Sequence, residues 1–131
     1  MAERELTAYA HKVQYYETDQ MGIVHHSNYI RWFEEARTDI LEQLGMGYHV
    51  MEEEGVLSPV LEAHAVYKSM TRYGETVIIR VKVKSYNGVT LTIVYEVTDQ
   101  KSGTVRCIGE TKHCFLKWDG KLLVLKKEKP E

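Results

Sequence analysis

Residues 28–44, NYIRWFEEARTDILEQL, decide the fold. Ile30, Phe33, Arg37, Ile40, Leu41 and Leu44 recur there at helical spacing, which predicts one long helix with one face on a core. Ser27 or Asn28 can cap its start, because a short side-chain acceptor satisfies a free amide there. Gly45 and Gly47 can end it in the left-handed conformation. A second, short helix is predicted at about 48–54, with Glu52, Glu53 and Glu54 as a solvated face and Gly55 as its stop.

Outward from the long helix the period changes from 3.6 to two. Upstream, residues 7–16 read as a strand with Tyr9, His11, Val13 and Tyr15 on one face, until Asp19, Met21 and Gly22 break the pattern. Downstream, residues 60–70 read as a strand and 76–86 as another. Val77, Ile79, Val81 and Val83 share one face of the second, and Arg80, Lys82 and Lys84 share the other. Asn87-Gly88 predicts a tight hairpin with positive φ at both central positions. Leu91, Ile93, Tyr95 and Val97 carry the apolar face back, Lys101-Ser102-Gly103 turns again, and 105–118 forms a long final strand. Asp119-Gly120 then leads into 121–124, and the charged tail at 126–131 is expected to fray. One helix against a curled antiparallel sheet is an α+β arrangement whose free edge invites a second subunit.

The chain has 131 residues, close to one domain, and no repeat or linker divides it. Its 17 basic and 19 acidic side chains leave a formal charge of −2, without the basic surplus of a nucleic-acid binder. With 44% hydrophobic and 27% charged residues it is not a disordered chain. No apolar run is long enough to span a membrane, and the start lacks the order of a signal peptide. Cys107 and Cys114 make no disulfide framework and read as strand residues, so a reducing cytoplasm is the expected compartment. A domain this small has little room to enclose a ligand, which points to a subunit interface for any small-molecule site.

The chemistry gathers in residues 15–29, YYETDQMGIVHHSNY, at the entrance to the long helix. A helix N-terminus offers unpaired amides and partial positive charge, which suit a developing oxyanion. A carboxylate beside it can attack an acyl carbon or activate water. From the residues alone, Asp19 reads first as a turn or cap residue and second as a catalyst. His25 and His26 are consecutive and expected to point apart. A metal site would need a third ligand from His11, His49, His64 or His113, and no spacing supports one.

Residues 16–37, YETDQMGIVHHSNYIRWFEEAR, resemble the signature of the hotdog-fold acyl-CoA thioesterases. They are most similar to the 4-hydroxybenzoyl-CoA thioesterase type and its bacterial acyl-CoA thioesterase relatives. Residues 67–75, YKSMTRYGE, resemble the family's second recurring segment, and 109–115, GETKHCF, fit its final strand. The resemblance covers nearly the whole chain. It implies a single hotdog domain over 1–131, a curved antiparallel sheet wrapped around one long central helix. It implies hydrolysis of an acyl-CoA to a carboxylic acid and coenzyme A, with coenzyme A as part of the substrate and no metal or further cofactor.

Carried over by position, the catalytic carboxylate falls on Asp19, the turn glycine on Gly22 and the oxyanion-holding amide near His26. His26 matches the family's histidine, while His25 stands where many relatives have tyrosine and Met70 where proline is common. Ser58, Pro59, Val60, Tyr29 and Trp32 are the candidate acyl-binding residues, and Lys68, Ser69 and Arg72 the candidate contacts to coenzyme A. Val56 and Leu57 can border the acyl group in the same reading, and so can Phe33, which reads first as a core residue. The resemblance also implies a homo-oligomer, either a dimer or a tetramer built as a dimer of dimers, with no nucleic-acid partner. Competing readings are a non-catalytic acyl-CoA binding module, a hotdog dehydratase or hydratase, and a purely structural dimer.

Overall fold

The computed structural model describes residues 8–43, 53, 55–57, 59–87 and 89–117. Their elements are β1 (Tyr9–Lys12), a 3-10 turn (Tyr15–Glu17), α1 (Ser27–Gln43), β2 (Val56–Leu57), β3 (Val60–Tyr67), β4 (Thr76–Tyr86), β5 (Leu91–Asp99), β6 (Val105–His113) and β7 (Leu116–Lys117). Five strands form one antiparallel sheet in the order β1-β4-β5-β6-β3, and β2 pairs with β7 apart from it. Among the described residues, one long helix against an antiparallel sheet is the expected α+β architecture. Gly45, Gly47, the 48–54 helix except Glu53, and everything after Lys117 lie outside the described residues. Gly55 has a left-handed backbone, at φ 74°.

The first strand is shorter than its periodicity predicts. Glu17 captures the Gln14 amide at 2.8 Å, which coils the chain into the 3-10 turn. Tyr15 is therefore turned out, 76% exposed, while Val13 stays in the core.

The buried stripe of α1 is Tyr29, Trp32, Phe33, Ala36 and Arg37, spaced i, i+3, i+4, i+7 and i+8. Phe33 and Arg37 are as predicted, but Ile30, Ile40 and Leu41 are only partly buried. The aromatic pair goes in because each polar atom has a partner: the Tyr29 hydroxyl bonds Thr71 and the Trp32 indole donates to Glu17. Neither expected cap side chain caps. The Asn28 amide nitrogen donates to the carbonyls of Glu17 and His25, and the Ser27 hydroxyl bonds His25 Nδ1.

Leu91, Ile93, Tyr95 and Val97 are all buried, as their alternation predicts. Val77 and Ile79 are buried too, but a register shift after Val83 leaves Val83 exposed. The hairpin between β4 and β5 has a four-residue loop, since Tyr86 pairs with Leu91. Asn87 has no positive φ; its side-chain oxygen accepts the amides of Val89 and Thr90. The strand predicted at 60–70 ends at Tyr67, because the Lys68 and Ser69 amides both turn to the Arg106 carbonyl. The strand predicted at 105–118 breaks after His113, where the Cys114 amide bonds the Pro59 carbonyl, and resumes as β7.

From α1 the Phe33 ring reaches down onto Gly109 of β6. A β-carbon there would run into the Phe33 ring. That ring stacks on Tyr95 of β5, 4.5 Å away and 12° from parallel.

Candidate active site

The site is an excursion of the chain between β1 and α1, tied down at both ends. Thr18 bridges Val24, and Ile23 bridges Arg72 on the connection between β3 and β4. At the tip, the Asp19 carboxylate accepts the Met21 amide at 2.8 Å and the Asp19 carbonyl accepts the Gly22 amide at 2.9 Å. The Asp19 amide donates back to the Ile23 carbonyl. Gly22 has φ 78°, so a side chain there would be strained, which explains a glycine three residues after Asp19. Asp19 itself is exposed.

The excursion ends on the head of α1. The His25 amide donates to the Glu17 carbonyl, the Asn28 amide to the His25 carbonyl and the Tyr29 amide to the His26 carbonyl. The Ser27 amide donates to His25 Nδ1 at 3.2 Å. The His26 amide, between these, has no acceptor among the described residues. It is an open donor at the positive end of a 17-residue helix.

His25 and His26 do not point apart. Their rings stack with centroids 4.2 Å apart, and His26 also meets the edge of Tyr67 at 6.1 Å. The Tyr67 hydroxyl donates weakly to the His26 carbonyl at 3.4 Å. The stacking follows from the turn at 25–28, in which His25 Nδ1 faces Ser27 rather than solvent.

The remaining sequence-predicted site residues separate into groups. Lys68 and Arg72 are exposed on the β3–β4 connection, and the Ile23 bridge brings Arg72 beside the Asp19 excursion. Ser69 is half-buried; its hydroxyl donates to the Val105 carbonyl and accepts from Arg106. Arg80 and Lys84, on the polar face of β4, are paired with Thr98 and Glu110. Pro59 and Val60 lead into β3, with Val60 exposed, and Ser58 lies outside the described residues. Tyr29 and Trp32 are buried in the chain's own core, and Trp32 has no exposed surface to offer a ligand.

Glu17 was missed by the sequence reading. It is only 4% exposed, and burial pushes its carboxyl upward. Hydrogen bonds from the Gln14 amide, the Trp32 indole and His11 outweigh that and hold it below the ordinary 4.5. The available signal was Trp32, since a core indole needs an acceptor. Cys107 is buried in β6, and desolvation pushes its thiol up to about 12, which leaves it un-nucleophilic.

A family model described as the thioesterase-like superfamily matches residues 13–130. A Bacillus subtilis protein, YneP, which carries a provisional acyl-CoA thioesterase name, is 44% identical over 86 residues. That match covers 66% of this chain and 62% of YneP, under two thirds of the relative's length. The crystal structure of a hypothetical protein, AQ1494, from Aquifex aeolicus is similar at TM-score 0.86 and 36% identity, over 92% of this chain and 94% of that one. A DHNA-CoA thioesterase from Staphylococcus aureus is similar at TM-score 0.86 and 34% identity, over 95% and 83% of the two chains. A fold reached from the residues and a family match over most of the length agree: the chain belongs to the thioesterase-like superfamily and has the hotdog fold.

Proposed function

We propose that the protein hydrolyses an acyl-CoA thioester to the free acid and coenzyme A, with Asp19 as the catalytic carboxylate. The observation that carries the reading is an exposed carboxylate on an excursion pinned to a helix head whose His26 amide is open. The thioester carbonyl accepts a hydrogen bond from that amide, which stabilises the oxyanion as it forms. Asp19 then takes one of two routes. It attacks the carbonyl carbon, the C–S bond breaks and water opens the resulting anhydride, or it takes a proton from a water that attacks directly. The thiolate of coenzyme A leaves with little acid assistance. His25 and His26, stacked beside the amide, assist the water step. Gly22 permits the turn that aims Asp19.

Lys68 and Arg72 supply positive charge for the phosphates of coenzyme A, with Ser69 held beside them through Arg106. Pro59 and Val60 approach the acyl group from a neighbouring subunit, whereas Tyr29 and Trp32 support it only from within the core. The subunit partner is a second copy of the chain, favoured by β3. That strand ends the sheet, and Val60, Leu61, Val66 and Tyr67 on it are exposed. The relatives' names support the substrate class. Among the described residues no helix is long and apolar enough to cross a membrane. Free Cys107 and Cys114 suit a reducing compartment, the cytoplasm.

Thiol release from a panel of acyl-CoAs, with Asp19→Asn beside the wild type, tests the reading. Hydrolysis by the wild type and a loss of about 10³ or more in the folded variant are expected. Equal activity in both reduces Asp19 to a turn residue, and binding without thiol release makes the protein an acyl-CoA binding module. Single turnover in heavy-oxygen water separates the routes: label in Asp19 excludes simple general-base catalysis.

A further inference from the structure

We propose that Glu17 is a positioning residue for this hydrolysis, its buried side chain and carbonyl together holding the Asp19 excursion in register with the head of α1. The proposal rests on the functional reading above and extends it to a residue that does not touch substrate.

Both halves of Glu17 are engaged. Its carbonyl accepts the His25 amide and the Asn28 side-chain nitrogen, each at 2.9 Å. Its carboxylate accepts the Gln14 amide and the Trp32 indole, each at 2.8 Å, and bonds His11 Nε2 at 2.9 and 3.2 Å. The partners come from β1, from the turn that follows it and from α1, so one residue ties three parts of the chain together. The excursion leaves from the next residue, Thr18, and returns at Val24. Thr71 secures the far side, where its carbonyl accepts the Val24 amide and its hydroxyl meets that of Tyr29. Asp19 and the His26 amide are therefore held relative to each other through Glu17.

Stability alone does not account for a carboxylate here. Burying one has a large desolvation cost, and an apolar side chain of similar volume often holds such a layer at least as well. Charge-assisted hydrogen bonds add direction, which an apolar contact lacks. Direction matters at this point because a displacement of about 1 Å in a reacting group can lower a rate by about 100-fold.

The test is steady-state kinetics on the best acyl-CoA of the panel, well below the measured Tm of each variant. Glu17→Gln keeps the shape and one acceptor oxygen; Trp32→Phe keeps an aromatic, though smaller, side chain and removes one donor, and serves if the first variant does not fold. Each should lower kcat by about tenfold or more, with KM changed by no more than about twofold. Glu17→Ala should lose more than Glu17→Gln. In an Asp19→Asn background, Glu17→Gln should cause no further loss, because its effect runs through Asp19. Unchanged kcat in the folded variants, or an equal fall in the Asp19→Asn background, overturns the positioning role while leaving the hydrolase reading intact. A wild type inactive on the whole panel overturns both, and is recognised before any variant is made.

Discussion

The Phe33 ring occupies the space that a side chain at residue 109 would need, so the bare Gly109 lets that ring lie against β6. Gly109 pairs with Tyr95 on one side and Ala65 on the other, inside the β5–β6 and β3–β6 ladders. Gly109→Ala forces the ring off Tyr95 or the helix outward. A loss of at least about 1–3 kcal/mol is expected, read as a lower urea midpoint at unchanged slope. Phe33→Leu added to Gly109→Ala should recover part of it. A Gly109→Ala protein as stable as the wild type would show that the ring gives way without cost.

Stability should fall on mild acidification because of His113. The residue is fully buried, bonds Thr111 through Nε2, and has no partner at Nδ1 among the described residues. Burial first, and the Arg37 charge second, push its pKa from 6.5 down to about 4. The unfolded chain therefore takes up a proton between those values that the folded chain refuses. The stability is complete above pH 6.5, declines as pH drops, and levels off near 4, for a total of about 3 kcal/mol. Urea unfolding at pH 7 and pH 5 should show the decline, and His113→Gln should flatten it over that window.

Cys107 should resist alkylation. Its thiol is buried in β6 and pushed up to about 12, so almost no thiolate exists at pH 8. Iodoacetamide at pH 8 should leave Cys107 unmodified in the native protein and modify it in urea, as peptide mass spectrometry would report. Rapid native labelling at that position would show that β6 opens readily.

Arg72→Ala should raise KM several-fold and leave kcat nearly unchanged. The backbone bridge from residue 72 to Ile23, and the Arg72 amide bond to Glu75, do not depend on the side chain. Truncation therefore removes charge without moving the excursion. A fall in kcat at constant KM would place Arg72 in the chemistry rather than in holding coenzyme A.

Much of the fold was legible because its signals are local. The 3.6-residue period of α1 and the two-residue period of β4 and β5 are written in consecutive residues. What escaped is settled by particular hydrogen-bond partners, near or far in the chain, and not by any period. The 3-10 turn depends on Glu17 finding Gln14, and β3 stops at Tyr67 because the next amides meet Arg106. Around the site, Asp19 and Gly22 stand out as a turn before a helix. The stacking of His25 on His26 and the convergence on Glu17 involve ring orientation and burial, which no spacing encodes.

The strand order carries a consequence for how the molecule comes into being. Tyr9 pairs with Ile79, and Ile23 with Arg72, so the first strand and the excursion wait for partners made much later in synthesis. Such long-range pairing must meet its loop-closure entropy before any contact repays it, which slows folding. A nascent chain that ends before Thr71 already contains Asp19, Glu17 and the whole of α1, yet lacks the partners of both the first strand and the excursion. The arrangement proposed for hydrolysis is therefore acquired late, and it arrives together with closure of the sheet.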